Sequence, residues 1–159
     1  MKKLTVLILT VIVLGVVVTS CGNTPPPATG WAAVTGKEWK LIEVQISDTI
    51  IRDVLFDRKE LDENATKDVF TLKFDDGRIN GKAAPNIFGG TFTGGEGQAI
   101  NVTLPMFTTR MAAIFQPYRL SEENYYTFIH NVYKWEVKDG KLILNSKAED
   151  ERDIIMIFE

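Results

Sequence analysis

The residues that could carry chemistry in this chain are few. There is one cysteine, Cys21, and one histidine, His130. A thiol can attack or be acylated, and an imidazole moves protons near neutral pH. With one of each, neither a Cys–His pair nor a Ser–His–Asp triad has more than a single candidate base, and no intramolecular disulfide can form. His130 lies one turn after Tyr126 and off the apolar stripe of its segment, which predicts a solvated side chain. Acidic residues crowd between Asp53 and Glu63. They lack the alternating oxygen ligands around an obligatory glycine that a calcium loop needs, so a solvated face is the expectation. Gly94-Gly95-Glu96-Gly97 joins strand to strand and opens no helix, unlike a phosphate cradle. Carboxylate pairs of the glycosidase kind are not singled out by anything in the sequence. The inventory predicts no catalytic residue, no metal site and no cofactor.

Cys21 is set in a context that gives its thiol another use. Met1-Lys2-Lys3 is followed by Leu4 to Val18, an uncharged and mostly apolar run. A short basic start and an apolar stretch of about 15 residues read as an export signal, too short to span a bilayer as a helix. Val18-Thr19-Ser20-Cys21 resembles the bacterial lipobox, in which the cysteine is lipidated. Several acyl chains on one residue make an anchor, at ~0.8 kcal/mol per buried methylene. Gly22-Asn23-Thr24-Pro25-Pro26-Pro27 then favours extended polyproline II. The expected organisation is a signal peptide over 1–20, the lipidated cysteine and a tether over 21–36, and a domain over 37–159. The 18 basic residues include Lys2 and Lys3, so the mature part has 16 against 21 acidic, a net charge of −5. That balance argues against nucleic acid and against electrostatic binding to anionic lipid. Membrane contact is expected through Cys21 alone. Gly22, not an acidic residue, at the next position favours the outer membrane, periplasmic face, over the inner.

The elements that must position any site are mostly strands. Trp39, Leu41, Val44 and Ile46 suggest a first strand, and the charge-rich stretch 47–68 an excursion with a short strand from Ile50 to Phe56. Phe70 to Phe74 and Arg78 to Gly81 flank Asp76-Gly77, a hairpin signal. Phe88 to Thr93 pairs with Ala99 to Leu104, and Tyr133 to Val137 with Leu142 to Asn145 across Asp139-Gly140. Ile154 to Phe158 closes the chain. One helix stands out, over about 121–132. Ser121 is a natural N-cap, Glu122 and Glu123 suit the positive end of the dipole, and Tyr125, Phe128, Ile129 and Val132 form one apolar stripe. The fold class expected is mainly β (α+β): a small, barrel-like antiparallel sheet packed with that helix.

Trp39-Lys40-Leu41, then Gly81-Lys82-Ala83-Ala84-Pro85-Asn86, Phe88-Gly89-Gly90, Thr108-Thr109-Arg110-Met111-Ala112 and Leu142-Ile143-Leu144 occur in that order. In this order and spacing the chain resembles the META domain, also called HslJ-like, found in many bacterial lipoproteins. The resemblance covers residues 37–159 and implies a small antiparallel barrel with helical segments. It implies stress-linked or envelope-linked roles and no established reaction. Many members carry a cysteine just before the motif asparagine and another just after the Met-Ala pair; here those positions are Pro85 and Ala113. The motif residues Asn86, Thr109, Arg110 and Met111 have two readings. Arg110 reaches for a carboxylate of a partner or ligand, or it pairs internally while Asn86 and Thr109 satisfy buried backbone where the sheet bends. The second is preferred. Three functional classes stay open: an envelope interaction module docking a protein partner, a small-molecule carrier using the barrel interior, and, least favoured, an enzyme. A filled interior with an exposed apolar patch would favour the first, a large apolar cavity the second.

The anchoring expectation has a direct test. Cys21→Ser should leave an unprocessed precursor that incorporates no labelled palmitate; normal processing and labelling of that variant would refute it.

Overall fold

The computed structural model describes residues 30–48, 52–60, 69–94, 97–109 and 119–159. The expected export segment over 1–20, Cys21, Arg110, Met111 and Ala113 lie outside them. The described strands are β1 (Glu38–Ser47), β2 (Arg52–Asp57), β3 (Thr71–Asp75), β4 (Arg78–Lys82), β5 (Ile87–Gly94), β6 (Ile100–Thr108), β7 (Lys134–Lys138), β8 (Lys141–Lys147) and β9 (Asp153–Phe158), with one α-helix among the described residues, α1 (Glu122–His130). Eight strands run in the order β6-β5-β4-β3-β1-β9-β8-β7, and β2 pairs beside β1. Every pairing is antiparallel.

The two outermost strands of that order meet. Trp135 donates its backbone N–H to Gln98 O (2.9 Å) and Ile100 donates to Tyr133 O (3.2 Å), around a bridge between Ala99 and Lys134. The sheet is thereby a nearly closed barrel, as the sequence predicted, and closure removes most of its exposed edge.

The strand β1 turns the corner that closure needs. Its residues 38–40 pair with β3 and residues 43–47 with β2, while β9 follows it on the other side, with bulges at Leu41/Glu43 and Val44/Gln45. A bulge adds a residue to one strand and bends it. A third bulge, between Gly89 and Thr91, bends β5 against β6. A side chain at Gly90 would overlap Thr103 O and Leu104 there, so the close approach requires glycine. Both predicted Asp-Gly turns form, with positive φ at Asp76 and Gly77 and at Asp139 and Gly140.

The interior is filled by the chain's own side chains. Trp39, Leu41, Leu72, Phe74, Ile79, Leu142, Met156 and Phe158 are essentially inaccessible to solvent. Alternation along β8 and β9 places Leu142, Leu144, Ile154, Met156 and Phe158 inward. At one mouth α1 presents Tyr125, Phe128 and Ile129, all buried. The Tyr125 ring meets Phe70 edge-on at 5.0 Å and Phe88 at 6.0 Å, and its hydroxyl donates to Thr71 O (3.2 Å). Burial holds that phenol well above the ordinary tyrosine range, so it stays a donor. Ser146 Oγ donates to Phe128 O (2.6 Å), which ties α1 to β8. Ser121 caps the helix by accepting from Asn124 N–H, as expected, and Val132 is buried just beyond its end.

One boundary differs from the sequence reading. The packed domain starts at about residue 30, not 37. Gly30–Ala33 form a 3-10 turn, Val34 is fully buried, and Trp31 stacks on Phe92 and Trp135 at 4.8 and 4.5 Å. One tryptophan among small residues has no periodicity to report it. The charge-rich excursion contributes β2, which runs from Arg52 to Asp57.

Because Phe128 is buried (4 % exposed) between α1 and the sheet, Phe128→Ala should lower unfolding free energy by ~3–5 kcal/mol in a urea titration. A loss below ~1 kcal/mol would show that the helix is not docked.

Candidate functional site

The β4–β5 connection, the end of β6 and the first turn of α1 converge on one polar cluster. The connection is a tight turn: Ala83 N–H donates to Asn86 O at 2.7 Å, and the Ala84–Pro85 bond is cis. This leaves Asn86 buried (5 % exposed) at the start of β5. Its backbone N–H donates to Glu122 Oε1 (2.9 Å) and its Nδ2 to Glu122 Oε2 (2.8 Å), so the two donors grip both carboxylate oxygens. Thr109 Oγ1 donates to Asn86 Oδ1 (2.8 Å) and accepts from Ile87 N–H (3.1 Å). Thr109 N–H donates to Ile87 O (3.1 Å), extending the β5–β6 ladder by one residue. Tyr126 Oη, one turn along α1, donates to Glu122 Oε1 (3.2 Å), and its ring packs edge-on against Phe88 at 5.3 Å.

The structure thus brings together two of the four motif residues named from sequence, Asn86 and Thr109. Arg110 and Met111, which follow Thr109, lie outside the described residues, as does Cys21. Glu122 is the member that sequence reasoning missed. It was read only as an acid suited to the helix dipole, and the available signal was its place directly after the N-cap. Such a carboxylate sits among free backbone N–H groups and can also accept from a neighbouring segment. Charge-assisted hydrogen bonds of this kind are the stronger ones. Both oxygens of Glu122 are engaged by this chain's own donors, an arrangement that holds three segments together.

The remaining sequence candidates fall elsewhere. His130 ends α1, and its side chain is exposed. It is not simply solvated, however: its Nδ1 accepts from Leu104 N–H (3.3 Å). Past the last bond of β6 to the chain before β7, the imidazole stands at the edge of β6 that faces away from β5, where no strand pairs among the described residues. It lies on a shallow, open groove of about 330 Å³ with Leu104, Tyr126, Thr127, Asn131 and Glu149. In the acidic stretch, Asp53 binds Arg119 (2.6 Å), whose guanidinium holds that carboxyl below the usual range. Asp57 Oδ1 accepts from Lys59 N–H. Among the described residues no three His, Cys, Asp or Glu side chains gather as a metal site would require. Arg58, from the same stretch, donates to Leu41 O (2.5 Å) and Val69 O (2.7 Å) and so braces the corner of β1.

The polar cluster predicts a specific response to mutation. Asn86→Ala should destabilise by ~2–3 kcal/mol, since it removes the side-chain donor to Glu122 Oε2 and the acceptor of the Thr109 hydroxyl. Its effect should be non-additive with Glu122→Ala in a double-mutant cycle. Asn86→Asp should be worse near neutral pH, because it sets a second carboxylate against Glu122. The introduced acid has a raised folded-state pKa, so its penalty is full above that pKa, shrinks as pH falls below it and is gone near ~4, the unfolded-state value. Thermal melts at pH 7 and pH 4 check this; equal losses at both would contradict the geometry.

The META domain family model matches residues 32–156. No curated protein matches the chain.

Proposed function

The chain belongs to the META domain family, and from that premise we propose that it is an exported lipoprotein of the cell envelope whose barrel serves as an interaction module. Cys21 carries the acyl chains that hold it, at the periplasmic face of the outer membrane, and residues 22–29 lift the barrel off the lipid. The META domain is not a known enzyme family, and we read this member as working by contact and not by catalysis.

One observation carries the reading: the barrel interior is occupied by its own side chains, from Trp39 and Phe74 to Met156 and Phe158. A carrier of the lipocalin kind needs that volume for its cargo. The residues that mark the family, where described, are turned on one another, which supports a strut role for Asn86 and Thr109. What such a domain offers a partner is its outer surface, on a fold stiff enough to present it. Support for envelope integrity under stress is the family-level role that fits.

Complementation tests this. In cells lacking the protein, sensitivity to a detergent or to envelope stress should be restored to normal by the wild type and by His130→Ala, and not by Cys21→Ser. His130→Ala removes one backbone hydrogen bond and should cost no more than ~1 kcal/mol. Loss of complementation by a folded His130→Ala protein would overturn the non-enzymatic reading. Arg110→Ala separates its two roles: a strut variant loses melting temperature and function in proportion, whereas a contact variant keeps its stability and loses partner binding.

A further inference from the structure

The mouth of the barrel opposite α1 is stoppered by Trp31. Its half-buried indole lies 4.5 Å from Trp135 at an interplanar angle of 33°, 4.8 Å from Phe92 and 5.9 Å from Phe74. Gly94 makes the room, since a side chain there would overlap the Trp31 indole. Phe74 and Phe92 meet edge-on at 5.1 Å. With Trp135 they form an aromatic cup into which a single flat group fits.

One wall of the cup, Trp135, carries a polar group without a partner. Trp135 is 6 % exposed, and its Nε1–H is buried with no acceptor. Buried indole N–H groups usually find one, and Trp39 does so, donating to Val34 O at 2.8 Å. An unsatisfied buried donor costs about 1–3 kcal/mol. Trp31 cannot relieve it, because the only polar group of an indole side chain is itself a donor. The stopper therefore meets the shape of the cup and not its hydrogen bonding. The segment that carries it precedes β1. It is held by Val34 in the core, by the Trp39 indole N–H on Val34 O (2.8 Å), and by the short parallel bridge of Thr35 to Phe74 with its Gly36 N–H to Phe74 O bond (3.1 Å). The family match begins at residue 32, one past Trp31, while Phe74, Phe92 and Trp135 all fall within it.

We propose that the cup of Phe74, Phe92 and Trp135 beside Gly94 is a binding site for a flat aromatic ligand bearing a hydrogen-bond acceptor, and that Trp31 is its removable stopper. The ligand takes the stacking place of the Trp31 indole, and its acceptor pairs with Trp135 Nε1–H. This goes beyond the interaction-module reading, and neither stands or falls with the other.

The three tryptophans make the test spectroscopic. Full-length, 15N-labelled protein in detergent gives three indole N–H signals, assigned by single Trp→Phe changes. The probes are quinoline, whose ring nitrogen is an acceptor, and naphthalene, which has the same shape without one. Trp31→Ala should bind quinoline about tenfold tighter than naphthalene, with the Trp135 indole proton moving downfield. The wild type should bind both more weakly, because Trp31 competes. Trp135→Phe should erase the preference while the protein still melts cooperatively. Equal affinity for the two probes, or an unmoved Trp135 signal, would overturn the site. The stopper has its own readout in the wild type. Gly36 N–H and the Trp39 indole N–H should exchange with solvent at least tenfold faster than the core amides of β8. Exchange at the same rate, or a Trp31→Ala protein that fails to fold, would make Trp31 a permanent part of the core and refute the proposal.

Discussion

The strand β1 belongs to both halves of the sheet, and the architecture depends on the bend within it. Up to Lys40 it is a partner of β3; from Glu43 it is a partner of β2; β9 follows it through the change. A strand that changes neighbours leaves backbone groups facing no ladder, and buried backbone groups without partners are costly. Here Leu41 N–H reaches Phe70 O (2.9 Å), while Leu41 O and Val69 O accept from the Arg58 guanidinium. Arginine suits this position because its planar fork supplies several donors in fixed directions. With the corner satisfied, β7 comes round to the start of β6. Without the bend, a run of eight strands would keep two open edges.

Closing a sheet leaves two mouths to fill, and the chain fills them differently. At the α1 mouth apolar packing and polar satisfaction agree: Tyr125 Oη, Ser146 Oγ and Asn131 Nδ2 each find a backbone carbonyl. At the Trp31 mouth packing is achieved by stacked and tilted rings, but Trp135 Nε1–H is left over. Natural cores tolerate few such groups. The helix is thus a built-in member of the fold, and the two ends are not equivalent in their energetics.

Much of this was legible in the sequence because it rests on short-range rules. Alternation marked the strands, Asp-Gly marked two turns, and the spacing of Tyr125, Phe128, Ile129 and Val132 marked α1. The tertiary matches were not legible. Arg58 sits in a stretch without periodicity, and nothing local says that its guanidinium will brace β1. Trp31 follows prolines and small residues that read as tether, and its partners are 43, 61 and 104 residues away in the chain. Asn86 and Thr109 were visible through the family motif, yet their link to Glu122 depends on where α1 docks. His130 was read correctly as exposed, but its bond to Leu104 N–H follows from β6 outrunning its partner at the barrel seam.

The polar cluster also bears on how this member manages without a cysteine at Pro85 or Ala113. By resemblance, relatives place one cysteine just before the motif asparagine and one just after Met-Ala, where this chain has Pro85 and Ala113. If those cysteines are bonded in relatives, they tie the β4–β5 connection to the chain leaving β6. The Asn86–Thr109 hydrogen bond joins those same two stretches, and Glu122 secures Asn86 from a third. A cross-link contributes ~2–4 kcal/mol, largely by restricting the unfolded chain. Hydrogen bonds to a charged group contribute ~1.5–3 kcal/mol, and they act only in the folded state. The two devices therefore differ in kind while serving one junction. A domain held by the second kind keeps its fold under reducing and oxidising conditions alike, since Asn86, Thr109 and Glu122 have no redox chemistry.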